Sequence, residues 1–437
     1  MNISDFLNNQ YADSALYMNF RNTPSFIDGL KNSSRKIVHT IKKTNQKTQL
    51  KVSALASKIT DLDAYLHADA AAQGAVVTIT QSYCGSNELP VLEGIGAFGT
   101  RHTPQAAAPR YIYVKPAKYF DLLFRKEDDI NLNEQIFEGE KIEPMFYVPT
   151  LPLLLVNGSI GIGVGFASTI FSRSVNNIIK LIKNYLDGKE IDEKLLTPSW
   201  HGFKGTVKKL ENNKWEVKGI ANINGKKVKI EEIPISWNLM SYLNFLKKQK
   251  EKGIIEKFID YSENDNFTFD ITLTESELKK DKDKILFDLG LVKTLTENLV
   301  TIDENNAIKE YNSTKEIFED YCRIKEIYFQ KRIKSETKRL EIEEKLLNET
   351  FKFIKAVIND EINLKSLKKK EVEELLKNLG YINIDKLISM PLYSITEDKA
   401  LEIENKWKNK IAELASMKKE TAISLWKKDL KELEKCL

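Results

Sequence analysis

The chain has only three cysteines, Cys84, Cys322 and Cys436, far apart and odd in number. That excludes a disulfide scaffold and any Cys-x-x-Cys zinc site, and it fits a reducing cytosol. No apolar run approaches the roughly 18 residues a membrane span requires. The opening MNISDFLNNQ has no basic segment followed by an apolar stretch, so no signal peptide is expected. Net charge is also small: 67 Lys and Arg against 63 Asp and Glu leave +4. Such balance excludes a disordered polyelectrolyte. What remains is a chain of 437 residues, 42% of them hydrophobic, long enough for several cored domains.

The small net charge hides a local field. Between Arg21 and Lys51 lie eight basic residues and a single acid, Asp28. A charge run is usually a solvated helix face, and a polyanion-binding surface needs a second feature. Within this run NSSRKIVHTIKK predicts a helix over 32–43, capped by Asn32 or Ser33. Ile37, Val38 and Ile41 face the core, and Arg35, Lys36, His39, Lys42 and Lys43 mostly face away. A second helix is expected over 51–66, and YIYV (111–114) reads as a short strand. Residues 24–140 are therefore mixed α/β, and 200–275 alternate apolar and polar positions as β-structure does. From Ser313 glycine and proline nearly vanish. Ile317, Ile324, Ile333, Leu340, Leu347 and Ile354 recur every seven residues, the seam of a long coiled-coil helix. A small helical insert with Gly380 and Pro391 follows. A second long helix is expected from about Glu397 to Leu437, giving an antiparallel arm with a globular tip.

Chemistry-bearing candidates are few. In GAFGTRHTPQAAAPRYIYV (96–114) a tyrosine directly follows an arginine at the end of a small-residue loop. A phenol with pKa near 10 is a poor nucleophile at neutral pH. A neighbouring guanidinium favours the phenolate and stabilises an attacked phosphate. Taken alone, Tyr111 and Tyr113 on one strand face equally suit packing aromatics. The glycine-rich NGSIGIGVGFAS (157–168) lacks the Lys-Ser/Thr ending of a nucleotide-phosphate loop. Asp61 with Asp63, and Asp281 with Asp283, spell DxD, but they read as solvated acids rather than metal ligands.

In sequence order, SFIDGLKNSSRKIV (25–38), KVSALASKITDLDAYLHAD (51–69), GSNELPVLEGIGAFGTR (85–101), APRYIY (108–113) and EPMFYVPTLPLLLVNGSIGIGVGFAS (143–168) resemble five consecutive blocks of the type IIA DNA topoisomerase breakage-reunion core, eukaryotic-like branch. In the second block Leu66 and Ala68 stand where that family has His and Gly. The resemblance implies an α+β multidomain fold. It would hold a winged-helix DNA-cleavage domain at 1–140 and a mixed α/β tower domain with a DNA-bending segment at 141–312. A long antiparallel coiled-coil arm would fill 313–437, with a small helical exit-gate dimerisation tip at about 359–396.

The resemblance also implies roles. Tyr111 attacks a DNA phosphodiester to give a transient 5′-phosphotyrosine link, and Arg110 stabilises the phosphorane. Arg35, Lys36, Lys51, His67 and Arg101 contact phosphate or assist, and Ile162 intercalates to bend the duplex. Mg²⁺ and ATP would both be bound by a partner, a large ATPase/TOPRIM subunit, with no metal in this chain. The chain would work as a homodimer on double-stranded DNA, relaxing and decatenating it. No Walker A sequence occurs, and the chain length suggests a separately encoded cleavage subunit of the bacteriophage kind, cytoplasmic in the host. Two other classes compete: a DNA-bending architectural dimer that never cuts, and a coiled-coil scaffold with a basic N-terminal region.

Overall fold

A computed structural model of the chain describes residues 2–62, 68–263, 265–362, 369–391 and 395–437. The chain forms two compact units, one of Met1–Lys325 with Lys427–Leu437 and the other of Glu326–Trp426. Both α-helices and antiparallel sheets are present, an α+β fold.

In the first unit the helices Asn32–Lys43, Val52–Leu62 and Asp69–Thr80 pack on one another. The 32–43 helix keeps its sequence-derived bounds, but its N-cap is Lys31, and no side chain caps it. Ile37, Val38, Leu55, Ile59 and Val76 fill the interior of this trio. Beside it lies a three-stranded antiparallel sheet, Leu50–Lys51, Tyr113–Pro116 and Leu92–Ile95, with Tyr113–Pro116 central. Leu153–Asn157 is a short buried helix. It leads into the hairpin Ser159–Ile162/Ala167–Ile170.

Further along, four antiparallel strands run in the order Ile220–Asn224, Lys227–Glu232, Phe269–Leu273, Ile255–Asp260. Lys227–Glu232 alternates exposed and buried residues without a break, the period of two that a half-covered sheet imposes. Val228, Ile230, Phe269, Ile271 and Leu273 enclose one core with Tyr242 and Leu246 of the Leu239–Glu251 helix. A second sheet pairs Thr206–Glu211, Lys214–Lys218 and Val292–Thr296.

Thr314–Ile358 is a single helix of 45 residues. Of its heptad positions Ile317, Ile324, Leu340 and Ile354 are buried, and Ile333 and Leu347 half-buried. In the second unit Glu397–Met417 runs antiparallel to it. Lys355 pairs with Glu397 at 3.5 Å, Trp407 donates to Glu344 at 2.6 Å and Lys418 pairs with Glu341 at 2.7 Å. Arm pairing within one chain is thereby established. The expected single helix to Leu437 is instead two, Glu397–Met417 and Ala422–Cys436. Thr421 and Ser424 exchange backbone-to-hydroxyl bonds of 2.8 and 3.1 Å, a reciprocal cap that starts a new helix. Where the arm helices meet the tip, Phe353, Ile354, Ile362, Val372, Leu376, Leu387 and Ala400 form a separate small core. Parts of the 359–396 tip lie outside the described residues.

Candidate functional site

Tyr111 is displayed by a local conflict between strand and turn. Ile112 and Val114 are buried, so their side chains fix which way the chain faces. Val52 donates its N–H to the Ile112 carbonyl at 3.1 Å, and Tyr113 pairs with Lys51 across the sheet. Pro109 cannot continue a ladder, and the Tyr111 N–H closes a turn on the Ala108 carbonyl at 2.9 Å. The strand therefore begins at Tyr113, not at Tyr111 as its sequence suggested. Tyr111 sits on the preceding turn, 67% exposed. The Arg110 guanidinium carbon stands 5.0 Å from its ring centroid. Both side chains are solvent-facing, and a cation over a phenol ring restricts its swing while keeping the hydroxyl accessible. Lys51, exposed on the adjacent strand, lies opposite Tyr113 in the sheet register.

The glycine-rich segment forms the second exposed feature. The hairpin Ser159–Ile162/Ala167–Ile170 is closed by the Gly163 N–H bonding the Phe166 carbonyl at 2.9 Å. Ile162 is 76% exposed, with Ile160 and Phe166 also outside. Such apolar side chains gain nothing from solvent. The hairpin base is held by Asn298, whose backbone pairs with Thr169 at 2.9 Å both ways and whose side chain donates to Ala167 at 2.7 Å.

Three other residues expected at phosphate are placed differently. Arg35 is buried, its Nε donating to Asp28 at 2.8 Å and its Nη2 to the Leu30 carbonyl at 3.1 Å. Burial alone would lower its pKa, but the Asp28 carboxylate outweighs that and the net shift is upward. Lys36 is buried on Glu143 at 2.7 Å. Arg101 is buried on Glu232 at 2.7 Å, donates to the Ile233 carbonyl, and lies 4.6 Å over the Phe267 ring. These three are fasteners of the fold in this structure, and each is paired because a buried charge requires it. His67 lies outside the described residues.

The basic run is likewise mostly spent internally. Lys31 donates to the Ile160 carbonyl at 2.6 Å, Lys42 pairs with Asp129 at 2.9 Å, Lys43 reaches the carbonyls of Leu62 and Lys141, and Lys47 pairs with Asp121. Burial lowers the Lys31 pKa. Among the described residues Arg21, Lys31, Lys43 and Lys51 of this run carry no ion pair, and Lys31 and Lys43 are held by backbone carbonyls instead. Asp281 caps the Lys282–Asp288 helix and Asp283 pairs with Lys218 at 3.2 Å. Among the described residues, no three His, Cys, Asp or Glu side chains gather as metal ligands, and no helix is long and apolar enough to cross a membrane. Sequence reasoning missed Lys31 and Asn19 as supports of the hairpin. Lys31 stood inside a recognised block, but nothing local marks Asn19, whose partner is 145 residues away.

A family described as the A-subunit of DNA gyrase/topoisomerase IV matches residues 21–431. DNA topoisomerase 2 of Plasmodium falciparum is 27% identical over 99% of this chain and 34% of its own length. The mitochondrial DNA topoisomerase 2 of Dictyostelium discoideum is 29% identical over 99% and 35%, and rat DNA topoisomerase 2-alpha 28% over 98% and 31%. The chain thus spans about a third of the length of these relatives. Among solved structures, the Plasmodium falciparum topoisomerase II DNA-binding, cleavage and re-ligation domain superposes with a TM-score of 0.90 at 29% identity, over 99% of this chain and 64% of that one. A family match that takes in the tyrosine turn, the apolar hairpin and the helical arm together leaves one assignment: the chain belongs to the DNA gyrase/topoisomerase IV A-subunit family.

Proposed function

We propose that this chain is the DNA-cleaving and rejoining part of a type II DNA topoisomerase. One observation carries the reading: a tyrosine on an outward turn, with an arginine against its ring, within a chain of this family. The Tyr111 oxygen gives up its proton and attacks a DNA phosphorus. The new P–O bond replaces the bond to O3′, which leaves as a 3′-hydroxyl after taking a proton. The ester retains the energy of the broken bond, so the reverse attack reseals the strand without ATP. Arg110 supplies charge to the phosphorane oxygens. Ile162 enters a base step and bends the duplex, at an unstacking cost of a few kcal/mol offset by added backbone contact. Lys51 contributes phosphate attraction, which is salt-dependent.

Two copies would cut both strands, with a second duplex passing through and leaving between the arms. In this reading the helix trio with its three-stranded sheet is the winged-helix domain, the four-stranded sheet and the sheet of Thr206–Glu211, Lys214–Lys218 and Val292–Thr296 form the tower, and the tip at about 359–396 closes the exit gate. Mg²⁺ and ATP would be held by a large ATPase/TOPRIM subunit. The reading extends to a separately encoded cleavage subunit of the phage type, working in the host cytoplasm.

Denaturant quenching of the chain with its large subunit, Mg²⁺ and plasmid DNA should leave DNA covalently bound, with Tyr111 as the modified residue on peptide mapping. Tyr111→Phe should abolish the adduct and retain DNA binding. An adduct with the phenylalanine variant refutes the nucleophile. DNA bending without any adduct, in wild type and variant alike, points to an architectural dimer.

A further inference from the structure

We infer that Asn19 is a positioning residue for DNA bending: its side-chain amide locks the tip of the hairpin that presents Ile162. The inference rests on the proposed role of that isoleucine. Asn19 lies in the Ala12–Asn22 helix and is only 3% exposed. Its Oδ1 accepts from the Val164 N–H at 2.7 Å, and its Nδ2 donates to the Val164 carbonyl at 3.1 Å. Both backbone groups of one turn residue are thus held by a single planar amide. The amide orientation is fixed, because the Val164 N–H requires an acceptor.

Two glycines make the approach possible. A Cβ at Gly163 would land on Asn19 Oδ1, and one at Gly161 on the Asn22 carbonyl oxygen. The glycines flanking Ile162 are therefore neither a phosphate loop nor only turn residues. They let the end of the Ala12–Asn22 helix touch the hairpin backbone, while Lys31 holds Ile160 from below.

The physical need is stiffness. Unstacking a base step costs free energy. A two-stranded hairpin is marginal in water by itself. If its tip could fold back, insertion strain would deform the hairpin instead of the DNA. With the base held at Asn298 and the tip at Asn19, the load passes to the body of the first unit.

The test uses the full chain and a duplex of about 30 bp with donor and acceptor dyes at its ends. Binding is measured separately by anisotropy. Ile162→Ala should lose most of the bent population at saturating protein. Asn19→Ala should reduce that population at least threefold at saturating protein, with binding changed less. Asn19→Asp, which keeps the acceptor and loses the donor, should fall between. Gly163→Ala should be impaired, and adding Asn19→Ala should make it no worse, because the atom it strikes is gone. Such non-additivity is the signature of direct contact.

Wild-type bending in both Asn19 variants overturns the inference. So does additive loss in the double variant, or bending that falls only in proportion to binding. Wild-type bending by Ile162→Ala refutes the wedge itself, whatever the Asn19 variants do.

Discussion

Arg35 separates two accounts of the basic run most sharply. Asp28 is fully buried and receives four hydrogen bonds: Arg35 Nε at 2.8 Å and Nη2 at 3.2 Å, the Leu30 N–H at 2.9 Å and the Tyr147 N–H at 3.0 Å. Replacing Arg35 by Met removes two of these and strands a buried carboxylate. Breaking such a pair costs about 3–5 kcal/mol. With a urea slope of about 3 kcal/mol per molar, the midpoint should fall by at least about 1 M. Asp28→Leu added to Arg35→Met should recover a good part of it, since the stranded charge is gone. DNA binding gives the opposite control. A residue that neutralises one phosphate changes the slope of log K against log salt by about 0.9. Arg35→Met, measured where it remains folded, should leave that slope unchanged. A slope reduced by about one unit, with the urea midpoint intact, would refute the buried-fastener account and restore the phosphate contact.

Three further outcomes follow from the same structure. Lys51→Ala should keep the wild-type melting temperature and lower the salt slope by about one, read by anisotropy titrations over a salt series. Gly29→Ala should lose about 2–5 kcal/mol in calorimetry or denaturant melts, because φ is +68° and the new Cβ would strike the Leu154 backbone. Cys84 is held protonated chiefly by burial, with Glu232, Glu88 and Asp265 assisting and Arg101 opposing, so its pKa is pushed up to about 11. A raised thiol pKa means the folded chain keeps a proton the unfolded chain has lost. Its contribution to stability is present below pH about 9 and lost toward pH 11. Iodoacetamide labelling of Cys84, followed by mass spectrometry, should stay slow at pH 8 and accelerate at pH 8 in denaturant.

The helix over 32–43 was legible because its apolar spacing is strong, and the long arm helix because its heptads persist. The outward assignment of Arg35 and Lys36 failed for a definable reason. A charge count sets Asp28 as one acid against eight bases and does not see it as a partner seven residues away, and Glu143 is 107 residues from Lys36. A periodic pattern sorts apolar from polar but cannot see a counter-ion arriving from elsewhere in the chain. Tyr111 was legible as an arginine-tyrosine step after a small-residue loop. Its place on a turn depended on Pro109 and on the burial of Ile112, which local alternation alone did not fix. The break at Thr421 was readable as a Thr-x-x-Ser cap inside a helical stretch. The glycines of 158–165 advertised close approach without saying to what.

The first unit is not contiguous in the chain: it is interrupted after Lys325 and resumes at Lys427. The resumed segment is structural, with Leu430 and Leu433 buried, Arg125 bonded to Glu432 at 2.6 Å and Lys427 to Asp187 at 2.7 Å. A ribosome making this protein must therefore finish the whole intervening arm, some hundred residues, before the tyrosine-bearing body can be sealed. At about 5–20 residues per second, that is a delay of about 5–20 s. During it the nascent chain carries an open seam where Leu430 and Leu433 will later sit.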